Sequence, residues 1–427
     1  MKKLFVSLFI SCLVSGLQAQ APRNEIKENV KLSASNLLAY PMPKKQLTPA
    51  PDGYRPFYIS HYGRHGSRFL INPKDYTTPI DILRKAERNG KLTPLGTDVM
   101  KRLCMLYDES YKRLGELTPL GAVQHREIAN RMYNRFPEVF KGDVTIDAKS
   151  TVVIRCILSM ENELQEFARL NPKLNIIHDA SEHDMWYMNF NDKPLFKKRM
   201  PEKAKKAYDD FCRQWDRSEN LMKKLFADMD YVKDSVDSHK LNYHIFHLAS
   251  AIQNCESRYK ITLYDLFSDD DLYANWVRDN ASWYINYGPS PLNGGRQPFS
   301  QRNLLRKIIT EADSCLALPA PGATLRFGHE TIVMPLTCLL GLDGYDRQID
   351  NLDKLTGKGW INYRIFPMGA NIQFVFFRRD AKDKDILVKV LLNENEASLP
   401  IKSDKAPYYK WNDVRDYYLD KLDSYKD

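Results

Sequence analysis

The chain has 427 residues, of which 43% are hydrophobic and 27% are charged, and its formal net charge is +9. These values are ordinary for a globular enzyme, and the length allows a large core and more than one domain. Beyond the N-terminus no stretch of 18 apolar residues occurs, so we expect neither membrane-spanning helices nor stable membrane insertion. The positive charge favours anionic partners without identifying one.

The N-terminus has the layout of a secretory signal peptide. Lys2 and Lys3 precede an apolar run from Leu4 to Leu17, and residues 19–21, Ala-Gln-Ala, form a small-x-small cleavage site. The run is too short to span a bilayer. We therefore expect residues 1–21 to be a signal peptide and the mature protein to be periplasmic or secreted.

A short buried strand is predicted over residues 55–60, and the segment HYGRHGSRFL, residues 61–70, follows it directly. Within this segment Arg64 and Arg68 lie on either side of His65, and arginines this close repel each other unless an anion lies between them. Ligands of open α/β sheets bind at the carboxyl ends of strands. The segment is therefore interpreted as an anion-binding loop.

The pentapeptide Leu-Thr-Pro-Leu-Gly occurs twice, at residues 92–96 and 117–121. In each copy the threonine suits a helix N-cap and the proline suits the first helical position. Apolar residues then recur at helical spacing. Because nothing beyond the pentapeptide recurs, we predict two helix starts rather than a repeat protein.

A second strand is predicted from Lys149 to Ile154, and Arg155 is predicted to open a helix. The first turn of a helix presents backbone N–H groups that suit an anion. Arg155 is therefore a candidate anion ligand, and a surface arginine is the alternative interpretation.

Residues 175–298 differ from their surroundings, because charged and aromatic side chains dominate and the helical periods are amphipathic. The region closes with a run of helix breakers at residues 287–295. We interpret residues 175–298 as a mostly helical cap inserted into an α/β core, which is formed by residues 22–174 and 299–427.

The core is predicted to resume with a strand over residues 323–328, after which His329 and Glu330 enter a helix. A charged turn joins two late strands over residues 372–377 and 386–392. These elements predict an α/β fold whose central mixed, mostly parallel sheet is flanked by helices.

Two features of the predicted cap have competing interpretations. His244 and His247 have the spacing of metal ligands, but no acidic or cysteine partner accompanies them in sequence, which favours ordinary helix residues. A basic cluster is either a solvated helix face or a funnel for a polyanionic substrate. This cluster comprises Lys193, Lys197, Lys198, Arg199, Lys203, Lys205 and Lys206.

Six cysteines lie beyond the predicted signal peptide: Cys104, Cys156, Cys212, Cys255, Cys315 and Cys338. None has the C-x-x-C spacing of a metal site. In an exported protein they could form disulfides, or they could be buried as small hydrophobic side chains. The sequence leaves both interpretations open.

The residues around His65 supply the groups that phosphoryl chemistry needs. A phosphate monoester is a dianion that arginine side chains bind bidentately. A neutral histidine can form a covalent intermediate, and a carboxylic acid can protonate the leaving alkoxide. Gly66 is expected to let the backbone pass close to the anion. His329 and Glu330, at another predicted strand end, complete the set.

Four segments resemble, in the same order, motifs of the histidine acid phosphatases, the larger branch of the histidine phosphatase superfamily. Residues 64–68 match the R-H-G-x-R signature, and residues 117–124 match the L-T-x-x-G-x-x-Q helix start. Residues 150–155 resemble the strand that carries a third arginine, and residues 327–330 resemble the late G-H-D or G-H-A-E element. The lysine-rich middle resembles the multiple inositol polyphosphate phosphatases of this family.

The resemblance implies a role for each matching residue. His65 is the expected nucleophile, which forms a phosphohistidine. Glu330 is the expected acid that protonates the leaving group and then the base that activates water. The residues expected to bind the phosphoryl oxygens are Arg64, Arg68, Arg155 and His329. No metal and no other cofactor is implied.

The chain departs from the family pattern at two places. Leu70 stands where many members have proline, which changes the stiffness of the loop. Placed without a gap, Glu330 aligns with the aspartate of the G-H-D members, whereas the glutamate of the G-H-A-E members faces Thr331. Glu330 is the expected donor; the alternatives are an acid elsewhere or a helix-capping role for Glu330.

We expect an exported phosphomonoesterase that hydrolyses phytate-like inositol polyphosphates. The alternative within this class is a broad-specificity acid phosphatase acting on sugar phosphates or nucleotides. A non-catalytic anion-binding protein is the alternative from a different class, but it predicts the loss of His65 or of every plausible acid. The expected partner is a small, polyanionic phosphate ester rather than a nucleic acid, and the sequence does not indicate an oligomeric state.

Overall fold

The computed structural model describes residues 21–43 and 45–426. The predicted signal peptide therefore lies outside the described residues, except for Ala21, which belongs to a helical segment over residues 21–28. Within the described ranges, no helix is both long enough and apolar enough to cross a membrane.

The described residues form a central eight-stranded sheet in the order β3-β2-β4-β1-β5-β6-β7, with β8 also paired to β6. The strands β3, β2, β4 and β1 are parallel neighbours, and β5 to β8 extend the sheet by antiparallel pairing. The predicted α/β fold class is confirmed. The strands are β1 (Arg55–Arg64), β2 (Thr145–Ser150), β3 (Asn175–Asp179), β4 (Gly322–Gly328), β5 (Asn371–Arg378), β6 (Leu387–Leu392), β7 (Asn395–Ala397) and β8 (Tyr409–Lys410).

The central strands are covered on both faces. Alternate residues of β1 enter two separate cores, with Tyr58 and Tyr62 in one and Ile59 in the other. Every residue of β4, β5 and β6 is buried, as expected for strands between two layers of helices.

After the helical segment over residues 21–28, the described part of the chain before the insertion contains α1 (Pro73–Arg88), α2 (Pro94–Ser110), α3 (Pro119–Arg135) and α4 (Ile154–Leu170). Both helix starts predicted from the repeated pentapeptide are confirmed. The Thr93 hydroxyl accepts a hydrogen bond from the Gly96 N–H at 3.0 Å, and the Thr118 hydroxyl accepts one from the Gly121 N–H at 3.3 Å.

The helices of the insertion are α5 (Met185–Met188), α6 (Lys193–Lys198), α7 (Glu202–Gln214), α8 (Ser218–Leu225), α9 (Met229–Ser235), α10 (Ser238–Ile252) and α11 (Asp269–Tyr287). The strand β3 precedes them and pairs with β2 inside the sheet. We therefore propose that the insertion starts after Asp179 and not at residue 175. Its predicted end at residue 298 and the predicted core, formed by the residues on either side, stay predictions. The chain continues through α12 (Arg302–Leu316), α13 (Glu330–Leu340) and α14 (Trp411–Asp423).

The first two predicted strands have different bounds in the structure. The first strand continues to Arg64 instead of ending at Ser60, because the backbone of residues 61–63 pairs with both β4 and β5. The second strand runs over Thr145–Ser150 instead of residues 149–154, because residues 145–149 already pair with β3 and Thr151 turns away after its N–H reaches the Phe327 carbonyl. The two predicted late strands are confirmed as β5 and β6.

The six cysteines in the described ranges are free. Three of them, Cys156, Cys255 and Cys338, are buried, which agrees with the interpretation as small hydrophobic side chains.

Candidate active site

The predicted anion-binding residues meet at the carboxyl end of β1. The Arg64 N–H donates to the Ala370 carbonyl at 2.7 Å, and the His65 N–H donates to the Gly328 carbonyl at 2.9 Å. In the parallel register Arg64 faces Gly328, the last residue of β4. The sheet therefore brings His65 beside His329 and Glu330, although more than 260 residues separate them in sequence.

His65 is buried and held in one tautomer. Its Nδ1 donates to the Gly66 carbonyl at 2.8 Å, so Nε2 carries the lone pair. Nε2 has no hydrogen-bond partner in the described part of the chain. Burial, reinforced by Arg64, lowers the pKa of His65 to well below its usual range, against the opposing effect of Glu330. The imidazole is therefore neutral and available as a nucleophile.

The Glu330 carboxylate lies among three cationic or polar groups. Its Oε2 is 3.1 Å from Arg64 Nε and 3.5 Å from His65 Nε2, and its Oε1 is 3.8 Å from Arg68 Nη2. Burial acts to raise the pKa of Glu330, but the guanidinium charges of Arg64 and Arg68 hold it well below the usual value. Glu330 is thus ionised when it contacts these groups.

The three arginines are anchored by backbone carbonyls. Arg64 Nη1 donates to Asn36 O at 2.6 Å and to Phe366 O at 2.9 Å, and Arg68 Nη1 donates to Phe69 O at 3.0 Å. Arg155 lies in the first turn of α4, as predicted. Its Nη1 is 3.5 Å from the Gly115 carbonyl.

Several guanidinium nitrogens at the site are buried without a hydrogen-bond partner among the described residues. They are Arg64 Nη2, Arg68 Nε and Arg155 Nε. A buried unsatisfied donor costs roughly 1–3 kcal/mol. An anion with several acceptor oxygens would satisfy these donors.

His329 stands opposite His65, with the ring centres 6.0 Å apart. Its Nε2 is 3.1 Å from the Thr151 hydroxyl, and its Nδ1 is 3.8 Å from the thiol sulfur of Cys156. Burial lowers the pKa of His329 to about 4, and Arg155 is among the charges that lower it further. A neutral His329 can donate one hydrogen bond to a phosphoryl oxygen.

The loop after His65 is fixed by α3 and α4. The Gly66 N–H donates to the Ser159 hydroxyl at 3.1 Å, and the Ser67 N–H donates to Gln124 Oε1 at 2.8 Å. A Cβ atom on Gly66 would lie 2.5 Å from the Gly121 carbonyl oxygen. Glycine is therefore required at position 66 because this residue packs closely against the start of α3. The predicted reason was close approach of the backbone to the anion instead.

His65, His329 and Glu330 could also be considered as metal ligands, because their ligand atoms lie within 4.8 Å of one another. The guanidinium groups of Arg64 and Arg68 approach the same carboxylate at 3.1 and 3.8 Å. Two fixed positive charges disfavour a metal cation at this position and favour a dianion.

Sequence reasoning missed Asp75. Its Oδ1 lies 3.8 Å from His244 Nδ1, and its Oδ2 lies 3.9 Å from His247 Nε2. Both histidines lie in α10, which agrees with the interpretation as helix residues. The sequence did not indicate Asp75 as their neighbour, because this carboxylate comes from α1 and no local pattern links α1 to α10. Burial raises the pKa of Asp75, and nearby Arg68 acts in the opposite direction.

The basic cluster divides into two kinds of residue. Its lysines in α6 are exposed, and Lys206 pairs with Asp210 at 3.0 Å. Arg199 is half-buried, and its Nη1 lies 3.4 Å from the Tyr287 hydroxyl. The sequence did not distinguish Arg199 from its neighbours.

A family model described as the histidine phosphatase superfamily, branch 2, matches residues 63–393. No curated protein matches the chain at a significant level. Among solved structures, the multiple inositol polyphosphate phosphatase of Bifidobacterium longum in complex with inositol hexasulfate has a TM-score of 0.72 and 20% sequence identity, over 90% of this chain and 97% of that chain.

Two phytases are also similar in structure. The phytase from D. castellii has a TM-score of 0.68 and 16% identity, over 92% of this chain and 86% of that chain. The Hafnia alvei phytase in complex with myo-inositol hexakis sulphate has a TM-score of 0.55 and 13% identity, over 87% and 98% of the two chains. At these identities the similarity establishes the fold.

Proposed function

Because the chain belongs to branch 2 of the histidine phosphatase superfamily, it is a phosphoric monoester hydrolase, and we propose that it hydrolyses inositol polyphosphates through a phosphohistidine on His65. The observation that carries the proposed mechanism is the free Nε2 of His65 beside buried, unpaired guanidinium N–H groups. Nucleophile and anion ligands of this kind are what in-line phosphoryl transfer requires.

The reaction proceeds in two steps. His65 Nε2 attacks phosphorus and an N–P bond forms, while the P–O bond to the alkoxide breaks and Glu330 gives its proton to the alkoxide oxygen. Water then attacks the phosphohistidine, Glu330 takes a proton from the water, and the N–P bond breaks to release phosphate. Arg64, Arg68 and Arg155 stabilise the charge on the phosphoryl oxygens in both steps.

Glu330 must hold a proton in the first step, although Arg64 and Arg68 keep it ionised before substrate arrives. An arriving phosphate dianion competes for Arg64 and Arg68 and adds negative charge near the carboxylate. Both effects raise the pKa of Glu330. Glu330 therefore becomes an acid as a consequence of substrate binding.

The proposed substrate class is supported by two observations. The Bifidobacterium longum and Hafnia alvei proteins, which share this fold, were solved with hexasulfated inositols. Within the basic cluster of the insertion, Arg199 is half-buried and its side chain has no carboxylate partner among the described residues, which suits it to a polyanion.

A substrate panel tests the proposal. Phosphate release should be measured from inositol hexakisphosphate, glucose phosphates, nucleotides and bisphosphoglycerate under the same conditions. We expect the highest kcat/KM for inositol hexakisphosphate. Comparable values across the panel would support the broad-specificity alternative, and no turnover of any ester would support anion capture without catalysis.

We also propose that residues 1–21 direct export and are removed near residues 19–21. Mass spectrometry of the protein recovered from the periplasm or medium should then identify an N-terminal peptide that starts close to Ala21. Recovery of the full-length chain from the cytoplasm alone would contradict this proposal.

A further inference from the structure

One cation of the insertion differs from the other members of the basic cluster. Arg199 follows α6 and is half-buried, whereas Lys197 and Lys198 are exposed. The Arg199 guanidinium lies 5.6 Å from the ring centre of Phe196 and 5.7 Å from that of Tyr287. These ring contacts hold the side chain in a defined position.

Tyr287 connects Arg199 to the candidate active site. Its ring centre is 5.1 Å from that of Trp283, and Trp283 is 4.8 Å from Phe366. The Phe366 carbonyl accepts the 2.9 Å hydrogen bond from Arg64 Nη1. These ring contacts, together with the hydrogen bond from Arg64 to the Phe366 carbonyl, therefore link Arg199 to the guanidinium beside His65.

Electrostatics agree with this placement. Burial raises the pKa of Tyr287, Arg199 lowers it, and the Glu330 carboxylate raises it further. Arg199 and Glu330 thus act on the same hydroxyl from different elements of the fold.

The charge of Arg199 is not neutralised by an acid in the described ranges. Its polar contacts are the Tyr287 hydroxyl at 3.4 Å and, through its own carbonyl oxygen, Asn293 Nδ2 at 2.9 Å. A half-buried guanidinium without a carboxylate partner can bind a phosphate group bidentately.

We propose that Arg199, oriented by Tyr287, binds a second phosphate group of the substrate and so favours polyphosphorylated esters over simple ones. The inference rests on the proposed function, because it requires a substrate with more than one phosphate. Arg64, Arg68 and Arg155 bind the phosphate that reacts, and Arg199 binds one that does not.

The test compares Arg199→Gln with Lys197→Gln, which removes one positive charge from the exposed face of the same segment. Both variants and the wild type are assayed on inositol hexakisphosphate and on p-nitrophenyl phosphate, which has no second phosphate. For Arg199→Gln we expect kcat/KM on inositol hexakisphosphate to fall roughly tenfold to a hundredfold, the loss of a charge-assisted hydrogen bond, with p-nitrophenyl phosphate unchanged. Lys197→Gln should change neither value, and Arg199→Lys should retain part of the activity.

Three results would overturn the inference. Equal losses on both substrates, or wild-type values for Arg199→Gln on both, would refute the second-phosphate site while leaving the proposed function intact. If the wild-type enzyme hydrolyses p-nitrophenyl phosphate but not inositol hexakisphosphate, both the proposed substrate class and the inference are refuted. Should Arg199→Gln unfold, Tyr287→Phe replaces it, and the same selective loss on inositol hexakisphosphate is required.

Discussion

Glu330 has two successive partners in the proposed reaction, the guanidinium groups before substrate binds and the leaving alkoxide afterwards. Its carboxylate contacts Arg64, His65 and Arg68 directly. A phosphoryl group bound by the same arginines competes with this carboxylate. The residue thus links entry of the anion to protonation of the acid.

The variant Glu330→Gln tests the acid role. An inositol alkoxide is a poor leaving group that needs a proton, whereas p-nitrophenolate leaves readily without one. We expect Glu330→Gln to slow inositol phosphate hydrolysis far more than p-nitrophenyl phosphate hydrolysis and to flatten one limb of the pH profile. Equal losses on the two substrates, with reduced thermal stability, would indicate a helix-capping role instead.

Arg155 is the most distant of the predicted phosphate ligands in sequence. Arg155→Ala should lower kcat by about 10²–10³-fold, by analogy with the loss of one donor from an oxyanion hole. Arg169→Ala is the matched control, because Arg169 lies at the other end of α4 and its ion pair among the described residues is with Glu166. Near-normal kcat in Arg155→Ala would mean that the start of α4 is not part of the site.

At the level of whole elements, the start of α3 supports the reactive loop. The Thr118 hydroxyl donates to the Ser67 carbonyl at 3.1 Å, and the Thr118 N–H reaches the same carbonyl at 2.9 Å. Gly121 packs against Gly66 and Ser67 so closely that a Cβ atom on either glycine would force the neighbouring backbone to shift. The second copy of the pentapeptide therefore packs against the loop that carries His65, and the first copy packs against α8.

The two copies provide a matched pair of substitutions. Gly96→Ala directs a methyl group at the Leu225 carbonyl of α8, and Gly121→Ala directs one at the Ser67 carbonyl of the loop. Both should lower the free energy of unfolding by about 1–3 kcal/mol, as overpacking does. Only Gly121→Ala should lower kcat/KM of the folded enzyme. Urea unfolding measures the loss of stability in each variant, and kinetics at low temperature, where both variants are folded, measure kcat/KM. An equal kinetic loss in Gly96→Ala would contradict this assignment.

How far the sequence predicts these elements depends on whether their determinants are local. Thr93, Thr118 and the following prolines specify helix starts by themselves, and both predictions are confirmed. The end of β1 could not be predicted, because residues 61–64 are held in the strand by β4 and β5. For the same reason Asp75 was missed and Arg199 was not distinguished from the other members of the basic cluster, since their partners come from distant elements.

For the whole molecule, the buried histidines His61 and His329 are expected to lower the free energy of unfolding at acid pH. Burial lowers the pKa of His61 to about 3 and of His329 to about 4. The folded state keeps these groups neutral, whereas the unfolded chain binds protons below its ordinary pKa of about 6.5. Unfolding therefore takes up protons in this window, and stability falls as pH decreases from about 6.5 toward 4.

Each such group contributes at most about 1.4 kcal/mol per pH unit to this slope. His61 is buried, and neither ring nitrogen has a hydrogen-bond partner in the part of the chain that the structure describes, so His61→Leu should flatten the dependence of the free energy of unfolding on pH by about that amount. His183→Leu, at an exposed position, should leave the slope unchanged. Urea unfolding between pH 7 and 4.5 measures both, and an unchanged slope in His61→Leu would contradict the assignment of His61.

The central claim is that His65 carries the phosphoryl group between the two steps, and rapid-quench mass spectrometry tests it most directly. The enzyme is mixed with inositol hexakisphosphate, quenched in alkali within the first turnover and digested, because phosphohistidine is acid-labile. We expect one phosphate on the peptide that contains His65, and we expect His65→Ala to retain its fold while losing both the phosphopeptide and turnover. Full turnover by His65→Ala, or a wild-type burst without phosphate on that peptide, would contradict the mechanism.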